Sequence, residues 1–382
     1  MNSHGLRNIV RGLALALSVS ACQSLVHAQT VQVRQVSSAS DLSATPPDTG
    51  HYRLHLIDVG TGLSVLVQGH DWNLLYDAGS ADDKSGIQSS GRSKSRVIAY
   101  LYAALGPSGT KKCVPDSDPW PVADLPERRI DHMVLSHPHD DHGSLMDDVF
   151  DCYAVANMWD SGAINDTVFY DRIIERVAAE QGLAYNTAVA PPQPPQIRVK
   201  KRHDLSGHTW RQFAEGDVIK LDDTASFTIL HANGHAGGDF NENSIVIRMD
   251  LGSKSLLLVG DAESGPRELP SAALGDVEKH LVAHYPSLID VDILQVGHHG
   301  SKTSSRAEFV RRVSPEIALI SGGPKKYQTV TLPDAEIVSF LEGEGIQVLR
   351  TDTSDRTGCS VTDRFGRDED RPGGCDNYLL EW

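Results

Sequence analysis

At 382 residues, with 40% hydrophobic and 23% charged side chains, the chain has the length for one large or two ordinary domains and the composition of a soluble globular protein. Its formal net charge of −16 excludes a nucleic-acid clamp that works by surface charge alone, because polyphosphate is held by Lys and Arg. A nuclease that neutralises phosphate locally with metal ions is not excluded.

The amino terminus reads as an export signal over residues 1–28. Behind Arg7 and Arg11 runs the apolar stretch Leu13-Ala14-Leu15-Ala16-Leu17-Ser18-Val19, too short for a bilayer, which needs about 20 residues. Val19-Ser20-Ala21-Cys22 has the form of a bacterial lipobox, with Cys22 as a lipidated first residue of the mature chain. Val26-His27-Ala28 offers the competing ordinary cleavage site, leaving Gln29 first. Cysteine arithmetic favours the lipobox: setting Cys22 aside leaves Cys113, Cys152, Cys359 and Cys375, an even set suited to disulfides in an oxidising compartment. Cys359 and Cys375 bracket a short polar loop, and Cys113 and Cys152 could tie an insertion to the core. Sequence does not choose among the three connectivities that four Cys allow, and none of them has zinc-finger spacing.

Residues 29–50, rich in Ser, Thr, Pro and Asp, read as a tether, and residues 51–350 as the domain. Strands are expected at 52–58, 63–67 and 73–76, the last running into Asp77-Ala78-Gly79. A helix follows at 95–105, then a Pro-rich insertion at 106–129 near the site mouth. After an apolar strand at 132–135 come a strand at 154–158 and a one-striped helix at 166–183. The irregular segment 188–215 carries Arg198-Val199-Lys200-Lys201-Arg202-His203, a run able to meet an anionic substrate but in most proteins a solvated loop face. Strands are expected at 218–221, 226–231, 244–249, 256–259, 291–296, 317–320 and 347–349, with helices at 277–283, 304–313 and 333–341. Strands in two batches, each closed by helices, predict an α/β protein with two facing sheets and helices outside, a four-layer αββα sandwich. Residues 351–382 read as a polar tail held by its Cys pair.

The chemistry concentrates in Ser136-His137-Pro138-His139-Asp140-Asp141-His142-Gly143. At the end of a strand, His137 and His139 can reach one cation while Asp141 and His142 turn toward a second. Imidazole nitrogen and carboxylate oxygen are the ligands zinc and similar divalent ions take. A single His here is usually a satisfied core residue; H-x-H-x-D-H has few such explanations. Two later stretches complete the set: Leu256-Leu257-Leu258-Val259-Gly260-Asp261, and Asp292-Ile293-Leu294-Gln295-Val296-Gly297-His298-His299-Gly300-Ser301-Lys302-Thr303-Ser304.

The His run resembles the signature of the metallo-β-lactamase-fold hydrolases. The opening I-D-V-G-x-G-x-S-x-L-V with L-L-Y-D-A-G, and the D-x-L-x-V-x-H-H-G-S-K-T-S stretch, are similar to the metallo-β-lactamase-like domain of the competence protein ComEC. The resemblance runs over roughly residues 52–350. It implies two divalent ions, zinc ahead of manganese, with Asp261 bridging them, His298 on the second ion, and His299 as a catalytic or substrate-side group beside Asp141. Asp58 is implied to be structural, holding the site loops. For the third ligand of the first ion the broader family uses a His in a turn, here His235 in Asn233-Gly234-His235. The ComEC-like branch carries an N-x-N-S run instead, here through Asn241 and Asn243. Ser301, Lys302, Thr303 and Asn243 are the expected substrate-side donors.

These parts imply an exported hydrolase in which the two ions lower the pKa of a shared water, so that hydroxide exists near neutral pH. The expected partner is an anionic substrate, small or polymeric, with membrane attachment through lipid at Cys22. Phosphodiesters are favoured: nucleic acid, nucleotide or cell-wall diester. The same fold also carries β-lactam, lactone and thioester hydrolysis, and a non-catalytic, metal-stabilised surface protein is the third reading. No G-x-S-x-G, P-loop or strand-to-helix G-x-G-x-x-G is present to support another chemistry.

Overall fold

In a computed structural model of the chain, residues 1, 30–83, 95–110, 113, 128–235, 238–327, 329–354, 365 and 374–382 are described. The export signal, Cys22, Cys359 and most of the 106–129 insertion lie outside them.

The strands form two large sheets. In chain order the first half supplies β1 (Gln32–Val36), β2 (Arg53–Leu56), β3 (Val65–Gln68), β4 (Asn73–Tyr76), β5 (Arg128–Leu135), β6 (Tyr153–Asp160), β7 (Ala184–Thr187), β8 (Gln196–Arg198), β9 (Arg202–Asp204) and β10 (Thr209–Gln212). The second half supplies β11 (Val218–Lys220), β12 (Ala225–His231), β13 (Val246–Leu251), β14 (Lys254–Leu258), β15 (Ile293–Gln295), β16 (Ile317–Ile320), β17 (Lys326–Tyr327), β18 (Val330–Thr331), β19 (Gln347–Arg350) and β20 (Asn377–Glu381). One sheet has nine strands in the order β1-β20-β2-β3-β4-β5-β6-β7-β10; the other has seven, β11-β12-β13-β14-β15-β16-β19. β8–β9 and β17–β18 are separate hairpins. The helices are α1 (Arg96–Leu105), α2 (Asp140–Gly143), α3 (Met146–Phe150), α4 (Val168–Ala179), α5 (Asp276–His284), α6 (Ala307–Val313) and α7 (Ala335–Gly343).

The layers follow from alternation along each strand, since successive side chains point to opposite faces. Val65 and Val67 enter the core between the sheets while Leu66 enters the core under α1, α3 and α4. Leu256 and Leu258 enter the central core, and Leu257 joins the third, under α5, α6 and α7. Three apolar layers between four layers of backbone make the αββα sandwich expected from the two batches of strands.

The ends of the domain differ from the sequence reading. Residues 32–36, read as tether, form an edge strand antiparallel to β20, with Gln32 opposite Glu381 and Val36 opposite Asn377. Residues 377–381, read as tail, sit inside the same sheet, because β20 also pairs β2. Leu380 and Trp382 fill the central core, with Val31 and Val33 packed against it. The irregular 188–215 segment contains three short strands. Cys113 and Cys152 are joined by a disulfide, and Cys375 is disulfide-bonded as well. No helix among the described residues is long and apolar enough to cross a membrane.

β4, β5 and β6 run parallel, as do β14, β15 and β16. Their carboxyl ends are where a ligand site is expected in such sheets, and the His run follows one of them directly.

Candidate metal centre

The site is assembled from the loops that leave β4, β5, β14, β15 and β16. After β5 the chain turns into the short α2, which carries Asp141 and His142. The Asp77-Ala78-Gly79 turn after β4 holds it: Ala78 N–H donates to His142 O (2.9 Å), and Leu63 N–H to Asp141 O (3.0 Å). A Cβ on Gly79 would lie 2.3 Å from the backbone of Asp141 and His142, so only Gly allows this approach. Asp77, itself at φ 58°, accepts Ser136 N–H and Oγ–H (both 2.7 Å) and faces His142 Nδ1 at 2.7 Å.

His142 therefore has Nδ1 committed to Asp77 and presents Nε2 to the centre. His299 repeats the design, with Nδ1–H donating to Ser321 O at 2.9 Å. Such outward hydrogen bonds fix the tautomer that leaves Nε2 free as a ligand. The free atoms converge: His142 Nε2 is 3.1 Å from Asp261 Oδ1, and His299 Nε2 is 3.6 Å from Asp261 Oδ2 and 3.7 Å from Asp141 Oδ2. Nevertheless His142 Nε2, Asp261 Oδ1 and His299 Nε2 are buried without any hydrogen-bond partner. Donors about 3–4 Å apart are what a cation held at about 2.0–2.2 Å by each requires. Two overlapping sets able to hold an ion result, His137-His142-Asp261 and Asp141-His142-His299. His139 belongs to neither set; its Nδ1 lies 2.9 Å from His137 Nε2, at the edge of the first. The donor set fits divalent ions.

Charge in this cluster is mutually stabilised. Burial alone would raise the Asp261 carboxyl, but His142, His299 and His298 hold it well below the usual carboxylate range. Asp141 is likewise lowered against its burial, chiefly by His299 and His142. Burial would lower His142, yet Asp261 and Asp77 raise it well above its ordinary value. His137 is lowered by burial and by neighbouring His142. The carboxylates are thus held ionised, the form that ligates.

The other expected residues fall differently. Of the adjacent pair it is His299, rather than the expected His298, that lies in a set able to hold an ion. Both lie in a tight turn at positive φ, 47° and 52°, which sends His299 to Asp141 and turns His298 Nδ1 to Glu263 (2.6 Å) and Thr303 Oγ1 (2.8 Å). His298 Nε2 still faces Asp261 at 3.8 Å. His235 is exposed and belongs to neither set. Asn243 does not line the centre with its amide, which donates to Asn233 O and His235 O. Asn241, by contrast, keeps a buried Oδ1 with no partner while its Nδ2 donates to Glu263.

Ser301, Lys302 and Thr303 serve the fold rather than an open donor position. Ser301 Oγ accepts from Arg267 and Thr303, and Lys302 pairs with Glu336 at 2.8 Å. The basic run splits: Lys200 and Lys201 lie on the solvated side of the β8–β9 hairpin, paired with Asp166 and Glu175, while His203 is buried against Asp171. Asp58 is structural, accepting Gly60, Gly374 and Asp376 N–H groups. Asn241 belongs to the N-x-N-S run named from the sequence; sequence reasoning missed Asp77, Glu263 and Tyr327, whose hydroxyl donates to Asp141 Oδ2 at 2.5 Å. Of these only Asp77 had a signal, its place at the end of an apolar strand.

No protein-family model matches the chain. Among curated proteins it is 30% identical over 160 residues to ComE operon protein 3 of Bacillus subtilis, a stretch covering 42% of this chain and 19% of that protein. It is 27% identical over 298 residues to competence protein ComA of Neisseria gonorrhoeae, covering 78% of this chain and 30% of the relative. The chain thus spans less than a third of the length of these relatives. Among solved structures it is similar to the metallo-beta-lactamase fold protein YhfI of Bacillus subtilis, with a TM-score of 0.41 at 12% identity, covering 79% of this chain and 97% of that one. That likeness is too distant to add to the layer order read directly from the sheets. Layer order and the His run give this chain the metallo-β-lactamase fold, and in sequence it is similar to the competence proteins over part of their length.

Proposed function

We propose that the chain is an exported, metal-dependent hydrolase acting on phosphodiesters. The observation that carries the hydrolase reading is the convergence of His142 Nε2, Asp261 Oδ1 and His299 Nε2, all buried and all without a hydrogen-bond partner. Their charges offset one another, His142 Nε2 lying 3.1 Å from Asp261 Oδ1, but the hydrogen-bonding capacity left unused is what a bound cation would take up. His137, His139, Asp261 and His142 would hold one ion, and Asp141, His142, Asp261 and His299 the other. Bound there, divalent ions supply the positive charge that acidifies water and neutralises charge developing on phosphoryl oxygens.

The chain's own groups do the rest. Asp77 and Ser321 orient the His142 and His299 rings, and Tyr327 fixes the Asp141 carboxylate. His298, braced at Nδ1 by Glu263, presents Nε2 on the more open side, where it holds a proton for the departing alkoxide oxygen. The burial of His137, His142, Asp261 and His299 excludes bulk water from the ligand side. Export is supported by the Cys113–Cys152 disulfide, since such bonds persist in oxidising compartments. Lipidation at Cys22 is tested by palmitate-analogue labelling of wild type against Cys22→Ser.

The deciding experiment is a substrate panel on metal-reconstituted protein: bis(p-nitrophenyl) phosphate, nitrocefin and a simple lactone. Diester turnover that disappears on chelation and returns with zinc or manganese is expected. Turnover of nitrocefin or the lactone alone would replace the phosphodiester reading with the acyl-hydrolase one.

A further inference from the structure

The last turn of α5 carries His280 and His284. Four positions apart, they lie on one face of the helix, with ring centroids 4.4 Å apart. His231, at the end of β12, meets the same face, its ring centroid 5.6 Å from that of His280. Glu215, in the turn before β11, closes the group: its Oε2 lies 2.9 Å from His280 Nε2 and accepts the Tyr285 hydroxyl at 3.3 Å. None of these residues belongs to either ligand set of the metal centre.

Each ring has one nitrogen committed to an acceptor. His231 Nδ1–H donates to Ser244 O and His284 Nδ1–H to His280 O, both at 2.9 Å, and His280 Nε2–H donates to Glu215. The tautomers so fixed leave a lone pair on His231 Nε2, His284 Nε2 and His280 Nδ1, the state in which imidazole takes a metal. Burial holds His231 below its ordinary value against the pull of Glu215, so its ring is neutral at pH 7. Two imidazoles bound to one tetrahedral ion at about 2.0–2.1 Å have ring centroids about 5 Å apart, and the two separations here bracket that value. An i, i+4 pair of His on a helix is itself a zinc-binding unit. A charge pair between His280 and Glu215 at the helix end accounts for one ring and leaves the other two unexplained. The donors stand wider apart than in the two sets of the metal centre. His284 is exposed, however, and exposed side chains change rotamer freely, so an ion is gathered here by ring rotation rather than met by a finished cage.

We propose that His231, His280, His284 and Glu215 form a further cation site, separate from the metal centre, that takes an imidazole-seeking divalent ion such as zinc rather than magnesium or calcium. The ion would join α5, in the outer helix layer, to β12 and to the turn before β11 at the edge of the second sheet. In a chain of net charge −16, long-range attraction favours a cation at such a surface. The site stands whatever substrate the metal centre takes.

The test compares zinc uptake, by equilibrium dialysis, in wild type and in His280→Gln/His284→Gln, both with the metal centre unaltered, so that ions held there cancel in the difference. Wild type is expected to take up about one ion per chain more, half-saturating at about 1–100 µM, as suits three or four donors that lack a preformed cage. Equal uptake by the two proteins overturns the site, and so does the same difference with magnesium in place of zinc. A second measurement needs no variant. Diethyl pyrocarbonate acylates free imidazoles, and mass spectrometry of wild-type peptides reads the rate at each ring. Zinc at about ten times the half-saturating concentration is expected to slow modification of His280 and His284 about 10-fold, while His51, exposed and outside the cluster, keeps its rate. Unchanged rates at His280 and His284 overturn the proposal.

Discussion

An imidazole has two nitrogens, and in this centre the fold takes one and leaves the other. His142 gives Nδ1 to Asp77 and His299 gives Nδ1 to the Ser321 carbonyl, and both leave Nε2 unpartnered. His298 gives Nδ1 to Glu263 and Thr303 and is the more exposed of the adjacent pair. The two neighbours should therefore fail differently. His299→Ala removes a ligand and is expected to lower bound metal by about one ion per chain, with activity down at least about 1000-fold. His298→Ala is expected to keep metal stoichiometry while activity falls about 10- to 100-fold, the range for a proton-handling or supporting group. Elemental analysis beside diester turnover separates the two. If His298→Ala lost the ion and His299→Ala kept it, the ligand order would be the reverse.

At the scale of elements, the centre depends on strands at the far ends of the chain. Asn377, at the start of β20, accepts the Asp58 N–H at 2.8 Å and donates to Val36 O in β1 and to Gly374 O. It ties both chain ends to the loop that leads to Gly60 and Thr61. Asn377→Ala leaves buried backbone groups unpaired and is expected to cost about 2–4 kcal/mol, read as a fall in the urea midpoint. A loss under about 0.5 kcal/mol would show that the ends do not brace the domain. This element also shows where sequence reading stopped. Strands such as β14 are legible because their own alternation sends Leu257 one way and its neighbours the other, and the His run is legible because its donors are neighbours in sequence. β1 is not, since its partner lies at the other end of the chain. Nor is Tyr327, which reaches Asp141 across 186 positions. Which ring of His298–His299 faces inward is set locally, by two consecutive positive φ values, and nothing in the letters H-H-G shows that.

Over the whole molecule, pH couples to stability through histidines that have nothing to do with metal. His55, fully buried, sits between Gln68 Oε1 at 2.7 Å and the Tyr100 hydroxyl at 3.0 Å. Burial pushes its pKa down to about 3, and His132 is pushed down to about 4 for the same reason. An unfolded chain protonates both near pH 6.5, so between that value and the folded pKa the unfolded state binds more protons, and stability rises with pH. The stability is fully present above about pH 6.5 and is lost as pH falls, at up to about 1.4 kcal/mol per pH unit for each ring. His55→Gln keeps a polar group of similar size but cannot titrate. The difference in unfolding free energy between wild type and this variant, measured with chelator so that metal release does not enter, should be level above pH 6.5. Below it the difference should shift against wild type by about 1.4 kcal/mol per unit toward pH 4. Two parallel curves down to pH 4 would mean that the His55 ring takes up its proton inside the folded protein despite its burial, and would overturn the coupling.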